Sequence, residues 1–296
     1  MTEYSHLHPR VRPILGKSSQ EKIHYVKTDR WIGYTRAHEI LRKMDDLVTH
    51  PRVDRMPSML IIGRSNNGKS KIVERFKKNH PPSSNYGGEK IRATVLGIQS
   101  PPSPSDNAFY SEILTTLYER VPTASIDAKR NRVIEVLKKI ELKVLVIDEL
   151  HNMLAGSSKK QQTLFNAIKY ISNTLQVSII GAGTVDLLRA VSIDEQIQNR
   201  FKSELLPLWK CDEELERLLI SIESLMPLKR PSNLVDVRMR NKIHAMSEGT
   251  IGEISELIRL ATIYALTVGE EQINYNALNA CGYVSPSDRK PKGNLV

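Results

Sequence analysis

Residues Met59–Ser70 read M-L-I-I-G-R-S-N-N-G-K-S, and this stretch decides the fold. The short apolar run Met59–Gly63 ends in glycine, which is typical of a strand buried on both faces of a parallel sheet. The part Gly63–Ser70 matches the phosphate-binding loop pattern G-x-x-x-x-G-K-[ST] without a mismatch. A helical pattern follows over Lys71–Lys78. The alternative, a chance match in a Gly/Ser-containing loop, is disfavoured because the motif stands between a strand and a helix.

The residue types of this loop suit it to hold nucleotide phosphates. Gly63 and Gly68 let the backbone curl so that successive N–H groups point inward, and the helix that follows presents its positive end to an anion. We expect Lys69 to neutralise the terminal phosphates and the Ser70 hydroxyl to ligate magnesium. The loop therefore predicts ATP and magnesium as cofactors. The expected nucleotide contacts are Gly63, Arg64, Ser65, Asn66, Asn67, Gly68, Lys69, Ser70 and Lys71.

A second motif places two carboxylates at the end of an apolar strand. Val144–Glu149 reads V-L-V-I-D-E, and ligands of open α/β sheets bind at the carboxyl ends of the strands. We predict that Asp148 holds magnesium through its water shell. Glu149 is predicted to polarise the attacking water, which requires a carboxylate within one water of the terminal phosphate. The pair is a weak signal alone and a strong one downstream of a complete phosphate-binding loop.

Two further positions are candidates for the same site. The segment Val177–Gly183 is expected to form a strand between the two motif strands, so the Thr184 hydroxyl is a candidate contact to the water or the terminal phosphate. A simple strand-ending turn explains Thr184 equally well. Arg200 precedes the last predicted strand, a position that suits an arginine reaching the nucleotide of a neighbouring subunit. Arg189 is the alternative, and either residue is also compatible with an ordinary surface arginine.

Apolar runs that alternate with helical patterns predict an α/β fold, a parallel sheet of about five strands flanked by helices. Beyond Met59–Gly63, the expected strands are Ala93–Ile98, Lys143–Ile147, Val177–Gly183 and, at an edge, Leu205–Leu208. After residue 210 the strand signals stop, and four amphipathic helices are expected. We divide the chain into a loose N-terminal arm (1–25), an α/β ATPase domain (26–210), a helical lid (211–284) and a disordered basic tail (285–296).

Composition and charge narrow the class of protein. Two cysteines without a C-x-x-C pair argue against a zinc site or a disulfide framework. No signal peptide or membrane span is recognisable, so we expect a cytoplasmic protein without a membrane partner. The net charge of +10 is uneven: residues 64–92 carry eight basic and two acidic residues, and residues 129–143 carry six and two. Such clusters suit nucleic acid or an anionic membrane face, unless they are ordinary solvated helix faces.

The motif order, the helical lid and Arg200 resemble those of AAA+ ATPases. More narrowly, the sequence resembles the TniB/TnsC family of transposition ATPases over roughly residues 27–285. S-N-N-G-K-S and D-E-L-H-N are fairly specific to that family, whereas the phosphate-binding loop itself is generic. The segments that carry the resemblance are D-R-W-I-G-Y-T-R-A (Asp29–Ala37), Met59–Ser70, I-D-E-L-H-N (Ile147–Asn152), G-A-G-T (Gly181–Thr184) and P-L-K-R-P-S-N-L (Pro227–Leu234).

The resemblance implies an ATP-dependent oligomer, a filament or a ring, bound to double-stranded DNA in the bacterial cytoplasm. It also implies a DDE-type transposase and a TniQ-type targeting protein as partners. Trp31, Ile32 and Tyr34 would lie near the adenine. At the second sensor position of the lid the chain has Gly252-Glu253, where the wider AAA+ pattern favours a basic residue. The resemblance therefore does not carry over a lid contact to the terminal phosphate, and this departure would agree with slow hydrolysis or with weak coupling of lid closure to chemistry.

By the same resemblance, DNA contacts are expected around Ser100–Asp106 and Pro122–Arg132. Lys129, Arg130 and Arg132 are the candidate cations, and contacts of this kind bind phosphates without reading sequence. Aromatic residues make up only 5% of the chain, which disfavours a platform for stacking single-stranded bases.

Three functions are compatible with this sequence. The first is a transposition regulator that assembles on DNA with ATP. The second is another DNA-directed AAA+ protein, such as an initiator or a helicase loader. The third is a P-loop switch in signalling or secretion, for which the basic clusters would only aid solubility.

Overall fold

The apolar runs form one parallel sheet in the computed structural model, which describes residues 4–84, 91–154, 156–191 and 198–289. Its strands lie in the spatial order β2-β3-β4-β1-β5, and every paired neighbour is parallel. This result confirms the predicted fold class. The strands are β1 (Ser58–Gly63), β2 (Val95–Gln99), β3 (Val144–Asp148), β4 (Ser178–Gly183) and β5 (Phe201–Leu206).

Helices separate the strands and continue after β5. Short 3₁₀ helices also occur at Arg12–Gly16 and Leu150–Leu154. The α-helices are α1 (Ser19–Lys27), α2 (Thr35–Thr49), α3 (Lys69–Asn79), α4 (Asp106–Thr116), α5 (Ile126–Lys139), α6 (Ser158–Leu175), α7 (Val185–Val191), α8 (Glu213–Glu223), α9 (Val237–Ser247), α10 (Ile251–Val268) and α11 (Tyr275–Ala280).

The sheet is buried between helices. Every residue of β1 and β4 is buried, as expected for central strands of a parallel sheet covered on both faces. Apolar side chains of α4, α5 and α6 pack on strand residues such as Leu60 and Leu145. Serine side chains at Ser105 and Ser125 accept hydrogen bonds from the first turns of α4 and α5 and so fix where these helices begin.

The edge strand differs from its predicted bounds. We expected Leu205–Leu208, but β5 runs from Phe201 to Leu206, and Pro207 lies beyond its end. Three of its six residues are exposed, since the strand has a neighbour on one side only, and it therefore lacks the continuous apolar run that marks the inner strands. Proline has no amide hydrogen to donate to a ladder, which agrees with the strand ending before Pro207.

The chain divides into two units. Unit 2 is drawn from Arg36–Ser65 and Lys69–Leu206 and contains the sheet. Unit 1 is drawn from Met1–Thr35, Asn66–Gly68 and Pro207–Val296, and its regular structure is helical. All four helices predicted after residue 210 are present in unit 1.

The expected loose arm at residues 1–25 is wrong for most of its length. The segment contains the 3₁₀ helix Arg12–Gly16 and most of α1, and it buries Leu7, Val11 and Leu15 in a small apolar cluster. The His8 amide donates to the Ser224 carbonyl, with an N···O distance of 2.9 Å. The spacing of four residues between these apolar side chains indicates a helical turn, and the polar residues around them obscured that signal.

Part of the predicted basic tail is also structured. Ser285–Arg289 is described and hydrogen-bonded, whereas residues 290–296 lie outside the described residues. No helix among the described residues is long and apolar enough to cross a bilayer.

Candidate nucleotide-binding site

The phosphate-binding loop begins where β1 ends at Gly63 and closes where α3 begins at Lys69. Asn66 and Gly68 have left-handed backbone conformations, with φ of +59° and +85°. Backbone turns of this type direct successive N–H groups into one concavity, a favourable site for anionic oxygens. The start of α3 adds its positive end to the same place. The local backbone therefore fits a nucleotide phosphate.

The Lys69 side chain lies against the loop. The residue is 9% exposed, and its ammonium donates to the carbonyl oxygens of Gly63 at 2.9 Å and Arg64 at 2.7 Å. Burial lowers the pKa of Lys69, and the nearby carboxylates of Asp148 and Glu149 oppose that change. The loop cation and the acidic pair thus lie near each other, as the two motifs predict for a site that balances phosphate charge.

Two oxygen ligands are available for magnesium. Ser70 is exposed in the first turn of α3, and Asp148 is half-buried at the end of β3. Among the described residues there is no group of three His, Cys, Asp or Glu side chains arranged to hold a metal ion. A hydroxyl and one carboxylate nevertheless fit magnesium, which is commonly held by one or two protein oxygens together with water and substrate phosphates.

Glu149 is held by two side-chain amides. Gln99 Nε2 donates to Glu149 Oε2 at 2.7 Å, and Asn152 Nδ2 donates to the same oxygen at 3.3 Å. The backbone of Glu149 is left-handed, with φ of +51°, and its amide donates to Asp148 Oδ1 at 2.8 Å. The orientation of the predicted catalytic carboxylate is therefore set by its neighbours.

Sequence reasoning missed Gln99 and Asn152 as partners of Glu149. Gln99 is the last residue of β2 and lies opposite Asp148 in the parallel register. The available signal was a polar residue directly after the predicted strand Ala93–Ile98. To link this residue to Glu149 requires the knowledge that β2 lies next to β3, and only the structure provides that order.

The strand β4 lies between β1 and β3, as predicted. Its glycines allow close packing: a Cβ atom on Gly181 would lie 2.5 Å from Leu150 Cδ2, and one on Gly183 would lie 3.3 Å from the His151 amide nitrogen. The segment after the acidic pair can thus lie directly on β4. Thr184 follows at the start of α7 and is half-buried, and its contact to water or phosphate stays a prediction.

Arg200 lies at the amino end of β5. The Ser58 amide donates to its carbonyl oxygen at 3.1 Å, and its guanidinium donates to Asn173 Oδ1 at 2.8 Å. Burial, and secondarily the positive charge of Arg55, lowers the pKa of Arg200. Arg200 lies beside Ser58, at the start of β1, whereas the loop begins at Gly63, at the end of β1. At roughly 3.3 Å per residue, the length of β1 separates the backbones of Arg200 and Gly63 by about 16 Å. Arg200 is therefore remote from the loop of its own chain, as a residue acting on a neighbouring subunit should be.

The rival Arg189 lies in α7, which follows β4 at the other end of the sheet. Its side chain is 79% exposed and forms a weak ion pair with Asp186 at 3.4 Å. The choice between the two arginines stays a prediction.

The tip of the loop, Asn66–Gly68, belongs to unit 1. Asn67 is 2% exposed, and its side chain donates to the Pro207 carbonyl at 3.0 Å. The amide of Gly252 donates to the Asn66 carbonyl at 3.0 Å. The loop tip is therefore hydrogen-bonded to the start of α10, the position where the sequence has Gly252-Glu253.

The residues predicted to lie near the adenine are close to this tip. The Tyr34 ring packs edge-on against Trp209 with a centroid distance of 5.1 Å. A Cβ atom on Gly68 would lie 3.5 Å from the Tyr34 hydroxyl. Ile32 packs with Tyr34 against the apolar core of unit 1, and Trp31 is half-buried. Their contact to a base stays a prediction.

The three candidate DNA contacts are all in α5, and each has partners within the chain. Lys129 donates to Asn107 at 2.7 Å, Arg130 pairs with Asp127 at 2.8 Å, and Arg132 pairs with Glu119 at 2.6 Å and with Glu135 at 2.8 Å. Much of their positive charge is thus balanced locally. These pairs are not predicted by a count of charges along the sequence.

Several solved structures share this fold. The chain resembles Aeropyrum pernix ORC1 in complex with DNA (15% identity, TM-score 0.60, covering 88% of this chain and 68% of that one). It also resembles the ADP form of Aeropyrum pernix ORC2 (15% identity, TM-score 0.60, covering 87% of this chain and 71% of that one). A third similar structure is the S. cerevisiae Hsp104–ADP complex (16% identity, TM-score 0.53, covering 85% of this chain and 33% of that one). At such identities the likeness concerns the fold. The parallel sheet, the phosphate-binding loop and the acidic pair together give the chain the fold of a P-loop nucleotide-binding domain.

The family model described as bacterial TniB protein matches residues 22–211. The chain therefore belongs to the TniB family, which confirms the resemblance found in the sequence. No curated protein matches it.

Proposed function

We propose that this chain is a magnesium-dependent ATPase that assembles on double-stranded DNA and regulates DNA transposition. The observation that carries the proposal is a complete phosphate-binding loop whose Lys69 lies near the Asp148–Glu149 pair, in a chain of the TniB family. The assembled protein would recruit a DDE-type transposase and respond to a TniQ-type targeting protein.

In the proposed reaction, water attacks the terminal phosphate of ATP. Loop N–H groups and Lys69 bind the phosphate oxygens and balance their charge. Glu149 orients the water and accepts its proton, while Thr184 is a candidate second contact to that water. Ser70 and Asp148 would hold magnesium, which neutralises phosphate charge when bound. ADP and inorganic phosphate are the products.

The proposed site is completed by a neighbouring subunit. Arg200 lies about 16 Å along the sheet from the loop of its own chain, by the rise of a strand. In an oligomer it would contribute its guanidinium to the nucleotide of the next subunit and stabilise charge in the transition state. ATP hydrolysis would then depend on assembly.

DNA binding is proposed to use the cationic face of α5. Lys129, Arg130 and Arg132 would exchange their internal carboxylate and amide partners for DNA phosphates. Exposed ion pairs contribute little to stability, so such an exchange is energetically accessible. Phosphate contacts carry no sequence information, which suits a protein that accepts many targets.

Electron microscopy tests the assembly directly. Wild-type protein and Lys69→Ala are imaged with linear duplex DNA, each with and without magnesium–ATP. We expect coats or rings on DNA only for the wild type with ATP. Bare DNA at low salt, despite measurable ATP binding, would contradict the proposal and favour a switch that does not act on DNA.

A binding experiment separates transposition from other DNA-directed functions. DNA-bound wild-type protein is mixed with the purified DDE-type transposase and, separately, with the TniQ-type protein of a TniB-containing transposition system. We expect ATP-dependent retention of both on the DNA. Assembly on DNA without retention of either would favour an initiator or helicase-loader function.

A further inference from the structure

A buried carboxylate contacts the tip of the phosphate-binding loop. Glu253 lies in the first turn of α10 and is 7% exposed. Its Oε1 accepts a hydrogen bond from Asn66 Nδ2 at 2.9 Å. Negative charge near a site for anionic phosphates opposes nucleotide binding unless a cation compensates for it. The glutamate therefore requires a partner.

Arg289 is that partner. Its guanidinium donates to both oxygens of Glu253, to Oε1 at 3.0 Å and to Oε2 at 2.7 Å. The Tyr283 hydroxyl adds a hydrogen bond to Oε2 at 2.7 Å. Burial alone would raise the pKa of Glu253, but these donors outweigh burial and lower it. The carboxylate is thus charged and fully hydrogen-bonded.

Arg289 is held by the chain segment around it. Its guanidinium carbon lies 5.3 Å from the centre of the Tyr283 ring, within the range of a cation–π interaction. The Ser287 amide donates to Glu248 Oε1 at 2.7 Å, and Ser285 Oγ donates to Asp288 Oδ2 at 2.6 Å. Several contacts therefore place the arginine against Glu253.

The contact between loop tip and helix is tight. A Cβ atom on Gly252 would lie 1.9 Å from Asn66 Oδ1, so only glycine permits this approach. The Gly252 amide also donates to the Asn66 carbonyl, and the Ile251 amide donates to Asn67 Oδ1 at 3.4 Å. A change in the charge or position of Glu253 is therefore transmitted to Asn66 and the loop.

We propose that Glu253 and Arg289 form a charge-compensated pair that positions the tip of the phosphate-binding loop and sets its affinity for nucleotide. Both are positioning residues: they lie against the loop tip at Asn66, and their net charge there acts on bound phosphate. Loss of Arg289 leaves a carboxylate without its cation beside the loop, and this repels phosphate. Loss of the Glu253 charge removes that repulsion. The two substitutions therefore act in opposite directions on affinity. The inference rests on the proposed nucleotide binding.

Calorimetric titration of the full-length protein with magnesium–ADP tests the pair without hydrolysis. We expect Arg289→Ala to weaken binding about tenfold, equivalent to ~1.4 kcal/mol. Glu253→Gln should bind as tightly as wild type or more tightly, and the double variant should return to within about threefold of wild type, since coupled charges are not additive. Arg289→Lys, which keeps the charge but loses the bidentate geometry, should be intermediate.

Arg259→Ala is the matched control. Arg259 forms a bidentate pair with Glu256 on the same helix, at 2.8 and 2.6 Å, and its side chain is 36% exposed. Within the described part of the chain, the hydrogen bonds of its side chain go to Glu256 and not to the loop tip. We expect its removal to leave ADP affinity unchanged.

A second readout needs no nucleotide. Hydrogen exchange of the Gly252 amide reports its bond to Asn66, and we expect faster exchange in Arg289→Ala and wild-type exchange in Arg259→Ala. Equal ADP affinity in Arg289→Ala and wild type would overturn the inference. A loss of ADP affinity of similar size in Glu253→Gln would also overturn it, because replacing either member of a pair that acts only through the loop structure would weaken binding. Failure of the wild type to bind ADP would instead contradict the proposed function.

Discussion

Gln99 Nε2 donates a hydrogen bond to Glu149 Oε2 at 2.7 Å, so the last residue of β2 contacts the predicted catalytic carboxylate at the end of β3. Asn152 donates to the same oxygen, which leaves Oε1 without a bond from either of these amides. Glu149 is therefore restrained before any water is activated.

We predict that Gln99→Ala raises the ATPase rate and leaves nucleotide affinity unchanged. A hydrogen bond to a charged group contributes about 1.5–3 kcal/mol, and its loss frees Glu149 to turn toward the water. We expect an increase of about tenfold in phosphate release at saturating ATP, which corresponds to about 1.4 kcal/mol, near the lower end of that range. Gln161→Ala, which removes a hydrogen bond to the Gly156 carbonyl, is the control. A fall in rate would indicate that Gln99 holds Glu149 in its productive orientation.

Glu149→Gln is expected to separate binding from hydrolysis. The amide has nearly the same shape but cannot accept the proton of the attacking water, so turnover should fall by about 10²–10⁴-fold. Affinity for magnesium–ATP should stay within about threefold of wild type. Phosphate release and calorimetric titration measure the two quantities. Turnover above a tenth of the wild-type rate would exclude Glu149 as the base. The control is Glu135→Gln on the exposed face of α5, which should hydrolyse ATP at the wild-type rate.

Mixing two inactive variants tests the proposed action of Arg200 across subunits. Lys69→Ala should lose nucleotide binding, and Arg200→Ala should bind nucleotide but hydrolyse it slowly. In a mixed assembly, an intact loop of one subunit can meet the intact arginine of its neighbour. We expect partial recovery of ATPase activity in this mixture. Arg189→Ala should be active alone, so its mixture with Lys69→Ala should show no activity above the sum of the two separate variants. Inactivity at every mixing ratio would contradict the shared site.

Glu204 provides a prediction about stability. It is 8% exposed in the edge strand β5, and its carboxylate pairs with Arg36 at 2.9 Å and Lys43 at 2.7 Å. Glu204→Gln should lower the free energy of unfolding by about 2 kcal/mol, since it weakens two hydrogen bonds between charged groups. Urea unfolding measures this change. Glu39→Gln removes only the exposed pair with Arg36, and we expect no more than about 0.5 kcal/mol from it.

The sequence predicted those parts of the molecule that depend on residues close together in the chain. The loop, the acidic pair and the inner strands each carry a local pattern, and the structure confirms the predicted strand order around β4. Contacts such as Gln99–Glu149 and Glu253–Arg289 depend on strand register and on side chains far apart in the sequence. The burial of Leu7 and Val11 was missed because polar residues separate them.

The most direct test of the central claim is the dependence of DNA binding on nucleotide. Sedimentation of the protein with a fluorescent duplex is measured over a range of protein concentrations, with magnesium–ATP, with magnesium–ADP and without nucleotide. The proposed function predicts cooperative binding with ATP that weakens steeply with salt, and no such binding for Lys69→Ala. Identical DNA binding by the wild type with and without ATP, or by Lys69→Ala, would contradict the claim that the nucleotide site controls assembly on DNA.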